Sequence, residues 1–159
     1  MRDNEFFTVR GYQLLEQHKK LLTPSLEDYL EMIIRSMHAD GYVRVNTLAR
    51  QLNVQPSSAS KMISRLAKLE LVEYKKYGVL KLTPKGAEIG RYLLWRHDVI
   101  MNFLTLLRGE DNYGIFVEAE LIEHILGKST VESMEKMVAF FNAEPSIDAK
   151  YKAFMPQLR

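Results

Sequence analysis

The amino-acid sequence predicts a mainly α-helical protein with one small β-hairpin wing, arranged as an N-terminal winged helix-turn-helix followed by a second helical domain. Three observations lead there. A strongly periodic apolar stripe opens at a Thr-Pro pair, Thr23-Pro24. Two short amphipathic segments follow in close succession, and after them two β-favouring runs enclose Lys75-Lys76-Tyr77-Gly78. A second Thr-Pro pair, Thr83-Pro84, starts the longest helical pattern in the chain. At 159 residues and 47% hydrophobic composition, there is material for one sizeable domain or two small ones.

Taken in order, the apolar residues between Asn4 and Leu22 outline a short helix that Gly11 interrupts, and no function attaches to it. Thr23 is the expected cap of the next helix, with Pro24 in its first turn, where a missing N–H costs nothing. Leu26, Tyr29, Leu30, Ile33, Ile34 and Met37 then recur at i, i+3, i+4, i+7, i+8 and i+11, one continuous stripe that ends at the Asp40-Gly41 turn. A short helix over 47–52, with Asn46 as its cap, is linked through Asn53 and Val54 to a second that opens at Pro56. Segments 71–74 and 79–83 form the hairpin. From Thr83-Pro84 a long helix runs to about Leu107, with Ile89, Leu93, Ile100, Leu104 and Leu107 on its buried side. A helix over 115–126 follows, closed by Gly127, and Ser129 with Glu132 makes a capping box for a last helix to about Phe141. Its residues Val131, Met134, Val138 and Phe141 need a partner. The expected division is an extension over 1–22, the winged helix over 23–91, a second helical domain over 92–142 and a weakly structured tail over 143–159.

Without cysteine, disulfides and thiolate metal sites are excluded, so any metal must be held by oxygen or imidazole. No apolar run is long enough for a signal sequence or a bilayer span, which makes a cytoplasmic protein with no membrane partner the expectation. Net charge is only +2, yet it is unevenly distributed. Between Gly41 and Arg91 there are ten cations against three anions, and between Tyr92 and Glu144 four against nine. Phosphate attraction depends on local charge, so a nucleic-acid-facing half followed by an acidic half with another task is indicated.

A recognition helix needs a small polar first turn that can enter the major groove, with cations beside it. Gln55, Ser57, Ser58, Ser60, Lys61 and Arg65 meet that description, and Lys75, Lys76 and Tyr77 stand where a wing meets backbone phosphates. The bland alternative is a serine-rich helix start with ordinary solvated cations. The wing and the local charge favour double-stranded operator DNA as partner.

A second constellation carries metal chemistry. Asp28 and Glu31 share a helix face at i, i+3, and Glu120, Glu123 and His124 have the i, i+3, i+4 spacing that points three ligands at one place. His97 falls on the stripe of Leu93, Ile100 and Leu104. Alternatives stand beside each: Asp28 completing a capping box with Ser25, Glu31 pairing with Arg35, Glu120 with His124 as a surface ion pair, and His97 as a hydrogen-bonded core residue. Periodicity alone does not bring these helices together.

Several stretches occur together in a fixed order over residues 23–142: Thr23-Pro24-Ser25-Leu26-Glu27-Asp28-Tyr29-Leu30-Glu31, Pro56-Ser57-Ser58-Ala59-Ser60-Lys61-Met62, Leu82-Thr83-Pro84-Lys85-Gly86, Arg96-His97 and Ala119-Glu120-Leu121-Ile122-Glu123-His124. In these the chain resembles the diphtheria-toxin-repressor family of metal-dependent regulators, most closely its manganese transport regulator branch. The resemblance implies a winged helix, a helical dimerisation domain, a homodimer, and a site for one or two ions where the two domains meet. Asp28, Glu31, His97, Glu120, Glu123 and His124 match the ligand positions of the manganese branch. Iron-sensing relatives carry methionine where this chain has Glu31 and cysteine where it has Glu120, so the all-oxygen-and-imidazole set favours Mn2+, with Fe2+, Co2+ and Zn2+ as other ions it admits. Two departures are the 22 residues before the usual start and the lack of a third, SH3-like domain.

The expected function is therefore a metal-dependent transcriptional repressor of metal-homeostasis genes, with no small-molecule substrate. Two rivals remain: a metal-independent winged-helix regulator that answers to a small molecule, and a di-metal carboxylate enzyme. The second lacks the paired Glu-x-x-His helices and any phosphate-binding glycine loop.

Overall fold

In the computed structural model, residues 10–16, 21–37, 41–109 and 112–154 are described. They fall into two compact units, one ending at Trp95 and the other beginning at Arg96.

The first unit starts with helix α1, of which residues 10–16 are described. The rest of the expected Asn4–Leu22 helix lies outside the described residues, apart from a turn at Leu21 and the buried Leu22. Helix α2 spans Pro24–Ser36, and Leu26, Tyr29, Leu30 and Ile33 of its stripe are buried. Thr23 sits at the cap position, but its side chain makes no capping bond; its carbonyl receives the N–H groups of Leu26 and Glu27 instead. After β1 (Val43–Arg44), helix α3 occupies Val45–Gln51 and α4 Pro56–Lys68. The expected cap Asn46 is therefore inside α3 and Arg44 holds the cap position, because the short strand delivers the chain straight into the helix.

Both helices of this pair stop the same way. Asn53 and Glu70 adopt left-handed φ values of 52° and 61°. At each, the following N–H reaches back five residues, Val54 to Ala49 and Leu71 to Leu66, which satisfies carbonyls that a helix end leaves open. The tight α3–α4 turn of a helix-turn-helix follows from that geometry.

Strands β2 (Val72–Lys75) and β3 (Val79–Leu82) form the wing around a 3-10 turn at Lys76–Gly78. Strand β1, which the sequence reading missed, pairs antiparallel with β3 through Val43 and Leu80, giving the sheet order β1-β3-β2. Two residues are too few to show alternation. Thr83 is a true side-chain cap for α5 (Pro84–Arg108): its hydroxyl accepts the Gly86 N–H at 3.0 Å and donates to the Glu70 carbonyl at 2.7 Å. Gly86 lets the helix start press on the root of the wing, since a Cβ there would lie 1.8 Å from the Leu71 carbonyl oxygen. The core of this unit runs from Leu15 through α2, α3, α4 and the sheet to Leu93, with Tyr92 as its largest fully buried side chain.

The second unit contains the C-terminal part of α5, then α6 (Asn112–Ile122), α7 (Lys128–Ala143) and α8 (Pro145–Phe154). Val99, Ile100, Leu104, Ile115, Ala119 and Val131 are buried. Three expectations change here. Helix α6 begins three residues earlier than predicted and ends at Ile122, with 123–125 in a turn. The Ser129–Glu132 capping box is absent because α7 starts at Lys128 with Gly127 at its cap position; Ser129 is already within the helix, and Glu132 pairs with Lys128. Over 145–154 the expected weak tail is instead helix α8. Pro145 suits a first helical position, Asp148 pairs with Lys152, and the Tyr151 ring meets Phe141 at 5.4 Å. That contact supplies a partner within the chain for Phe141, the last residue of the α7 apolar row.

Candidate metal centre and nucleic-acid interface

Helix α4 separates its two faces cleanly. Ala59, Ile63 and Leu66 are fully buried, whereas Ser57, Ser58, Lys61, Ser64, Arg65 and Lys68 are exposed. Ser60 and Ser64 spend their hydroxyl protons on the carbonyls of Pro56 and Ser60, each at 2.8 Å, so Ser57 and Ser58 remain the outward hydroxyls of the first turn. Gln55 is exposed at the cap position, and its carbonyl takes the N–H groups of Ser58 and Ala59. At the wing, Lys75 makes a surface pair with Glu73 at 3.3 Å, and Lys76 lies in the turn. Tyr77 is 89% exposed and sits at φ 64°, ψ 25°, an unfavourable backbone state for a bulky residue. Tyr74, half exposed on β2, adds a second aromatic to this edge.

The carboxylates on α2 belong to the first unit. Glu31 is buried, and its Oε1 receives Nε and Nη2 of Arg35 at 3.0 and 2.6 Å, so the i+4 pair considered from sequence does form. Asp28, one turn earlier, is half-buried.

In the second unit four of the expected residues converge. His97 comes from α5, Glu120 from α6, and Glu123 and His124 from the turn after it, where the Glu123 N–H still bonds to Ala119 in helical fashion at 3.0 Å. The Glu123 side chain is 1% exposed. Its Oε2 lies 2.8 Å from Nδ1 of His97 and its Oε1 3.6 Å from Nε2 of His124. Glu120 Oε1 is 3.5 Å from the same His97 nitrogen and remains 40% exposed. Phe116 closes one side, edge-on to His97 with ring centroids 5.9 Å apart. A buried carboxylate between two imidazoles, with a second carboxylate at the water-facing edge, is a donor set that fits a divalent transition-metal ion.

Two further features lie outside the expected ligand and DNA-contact residues. Arg96 is buried, with Nη2 3.3 Å from Nδ1 of His124. A charged residue on the Leu93–His97–Ile100 stripe was the available signal. Tyr113, Val117, Leu121 and Ile125 form an exposed apolar row at four-residue intervals on α6 and just beyond it.

Residues 21–80 match the family model described as iron dependent repressor, N-terminal DNA binding domain, and residues 83–152 match that for the metal binding and dimerisation domain. The chain belongs to the iron-dependent, or diphtheria-toxin-type, repressor family. Its relatives in this repressor family include the HTH-type transcriptional regulator MntR of Bacillus pumilus (strain SAFR-032), 39% identical over 133 residues that cover 84% of this chain and 92% of that one. The MntR of Listeria welshimeri is 40% identical over 131 residues, covering 82% and 92%. Among solved structures, the manganese regulator SloR superposes with a TM-score of 0.62 at 30% identity, covering 74% of this chain and 55% of that one. A manganese-dependent transcriptional repressor in complex with manganese gives 0.65 at 27%, covering 72% and 53%. This repressor chain thus spans little more than half the length of those solved chains. No helix among the described residues is long and apolar enough to cross a membrane.

Proposed function

We propose that this protein is a manganese-responsive transcriptional repressor that binds operator DNA as a homodimer and is not an enzyme. The observation that carries the proposal is the buried Glu123 carboxylate between His97 and His124, with Glu120 beside it, in a chain without thiols. All four donors are oxygen or nitrogen. Manganese binds weakly to nearly every site and is selected by hard donors rather than by raw affinity, which is the reason to prefer it to iron; cobalt and zinc would bind tightly in vitro on the Irving–Williams order. Asp28 and Glu31, the remaining family ligand positions, complete the proposed set for one or two ions.

On this reading Gln55, Ser57, Ser58, Ser60, Lys61 and Arg65 lie at the major groove while Lys75, Lys76 and Tyr77 meet the backbone. The apolar row Tyr113, Val117, Leu121 and Ile125 is the proposed contact with the second copy. The metal acts by linkage: it raises the population of the DNA-competent dimer only to the extent that it binds that form more tightly, and a few kcal/mol suffices.

The test is binding of the purified protein to its own upstream DNA, titrated with Mn2+ after chelation at fixed ionic strength. Glu120→Ala is the informative variant, since its exposed side chain can be removed without opening the core. Manganese-dependent binding that the variant loses supports the proposal. Binding indifferent to chelator favours the metal-independent regulator, and equal operator affinity in variant and wild type removes Glu120 from the site.

A further inference from the structure

We propose that Arg96 acts as a built-in stand-in cation, occupying Nδ1 of His124 beside the Glu123 carboxylate in the metal-free state and thereby setting the metal concentration at which the protein responds. This rests on the metal-sensing reading above and deepens it.

The chain of contacts has a fixed direction. A guanidinium has only N–H donors, so the 3.3 Å contact from Arg96 Nη2 makes Nδ1 of His124 the acceptor. A neutral imidazole that accepts at one nitrogen carries its proton on the other. The proton of His124 is therefore on Nε2, which faces Glu123 Oε1 at 3.6 Å. On the other side of that carboxylate, His97 donates from Nδ1 to Oε2 at 2.8 Å. Two hydrogen-bonded pairs, Arg96–His124 and His97–Glu123, thus stand side by side, with His124 Nε2 and Glu123 Oε1 at ion-pair distance between them. Most of it is sheltered: Arg96, His97 and Glu123 are 3%, 4% and 1% exposed, and the His124 side chain is 13% exposed.

In this arrangement neither nitrogen of His124 has a lone pair to give. One accepts from arginine, and the other holds the proton. A metal ion can recruit His124 only after the Arg96 bond is broken or the imidazole tautomer is reversed, and reversal would aim an N–H at the guanidinium donor. Arg96 also places a permanent positive charge in a sheltered site meant for a divalent cation, where repulsion is less screened than at the surface. Both effects act in the same direction. They add a positive charge beside the Glu123 carboxylate in the metal-free state, and they weaken metal binding.

The experiment compares full-length wild type, Arg96→Met and Arg96→Lys by Mn2+ competition against a fluorescent chelator, with folding of each checked by circular dichroism. Arg96→Met keeps most of the volume and removes the charge. It is expected to bind Mn2+ about tenfold more tightly or better, a cautious figure for one unit charge beside a divalent ion at an effective dielectric of about 20. Arg96→Lys, which keeps the charge, should stay within about threefold of wild type on the same grounds. A second readout needs no metal. Ring 15N shifts of His124 in the metal-free wild type should report the Nε2–H tautomer, and Arg96→Met should lose that preference. Unchanged or weaker Mn2+ binding in Arg96→Met overturns the inference, as does equal tightening in both variants or a wild-type His124 protonated at Nδ1. If wild type itself binds no Mn2+, it is the metal-sensing reading that fails.

Discussion

Nδ1 of His97 meets Oε2 of Glu123 at 2.8 Å inside the second unit, whereas Oε1 of Glu120 lies 3.5 Å from the same nitrogen at the solvent edge. Two carboxylates thus face one imidazole from different environments, and their removal should have different consequences. Glu123→Ala strips the acceptor from the buried His97 donor and should cost about 1–3 kcal/mol of stability even without metal. Glu120→Ala should change stability by less than about 0.5 kcal/mol, as for ordinary surface substitutions. Both should weaken Mn2+ binding. Chemical unfolding of the metal-free proteins, set beside metal titration, separates the two; equal destabilisation would contradict the burial difference.

Leu121 is 71% exposed and Ile125 78%, in a row with Tyr113 and Val117. This row is the proposed contact with the second copy, since exposed apolar patches commonly serve as contact surfaces. On that proposal, light scattering should show wild type as a dimer and Leu121→Asp as a monomer at micromolar concentration, with helix content unchanged. A persistent dimer would move the interface elsewhere.

Tyr77 couples strain to position. A non-glycine residue at φ 64° costs on the order of 1 kcal/mol, and an 89% exposed ring recovers little of it by packing. Tyr77→Gly should therefore raise stability slightly while weakening operator binding, opposite signs in thermal unfolding and in DNA titration. Unchanged DNA affinity would leave the tyrosine as a wing residue without a phosphate partner.

Burial on α2 raises the pKa of the Tyr29 phenol above its ordinary 10.0 by desolvation. A folded-state pKa raised above the unfolded one contributes stability that is present below about pH 10 and is lost as pH climbs through the folded value. Tyr29→Phe removes this group from the alkaline limb, so its unfolding free energy should fall less steeply above pH 10 than that of wild type. Parallel alkaline limbs would show that the phenol ionises without penalty.

Much of the architecture could be read from the sequence because its signals were redundant. The α2 stripe combined periodicity with Thr23-Pro24, and the wing combined β-favouring runs with Gly78. Single signals misled: Asn46 and Ser129 are good caps by residue type, yet strand β1 and the early start of α7 place both inside helices. Helix α8 lacked a strong stripe of its own and depends on Phe141 for its contact with Tyr151. The i, i+3, i+4 spacing of Glu120, Glu123 and His124 did predict one cluster. That His97 would meet it, 26 residues before Glu123, was not in any local pattern and came from the family resemblance. Arg96 was visible only as a charge on an apolar stripe.

The N-terminal extension has a definite docking geometry at its described residues. Arg10 Nε pairs with Glu88 Oε2 at 2.8 Å, the Tyr12 and Tyr92 rings stand 5.6 Å apart, and Leu15 is buried. Gly11 permits the approach: a Cβ there would fall 2.6 Å from both the Glu88 carbonyl oxygen and the Tyr92 Cβ. The backbone oxygen cannot swing aside, so in Gly11→Ala helix α1 must lift. The expected cost is about 1–3 kcal/mol, the range for forcing an extra methyl group into a packed contact. Gln13→Ala, on the exposed side of the same helix, should be neutral or slightly stabilising because alanine is the better helix former. Thermal unfolding distinguishes the two variants, and hydrogen exchange at residues 10–16 localises the effect. If Gly11→Ala is as stable as Gln13→Ala and equally protected, α1 does not rest on α5 in solution and the extension contributes nothing to the core.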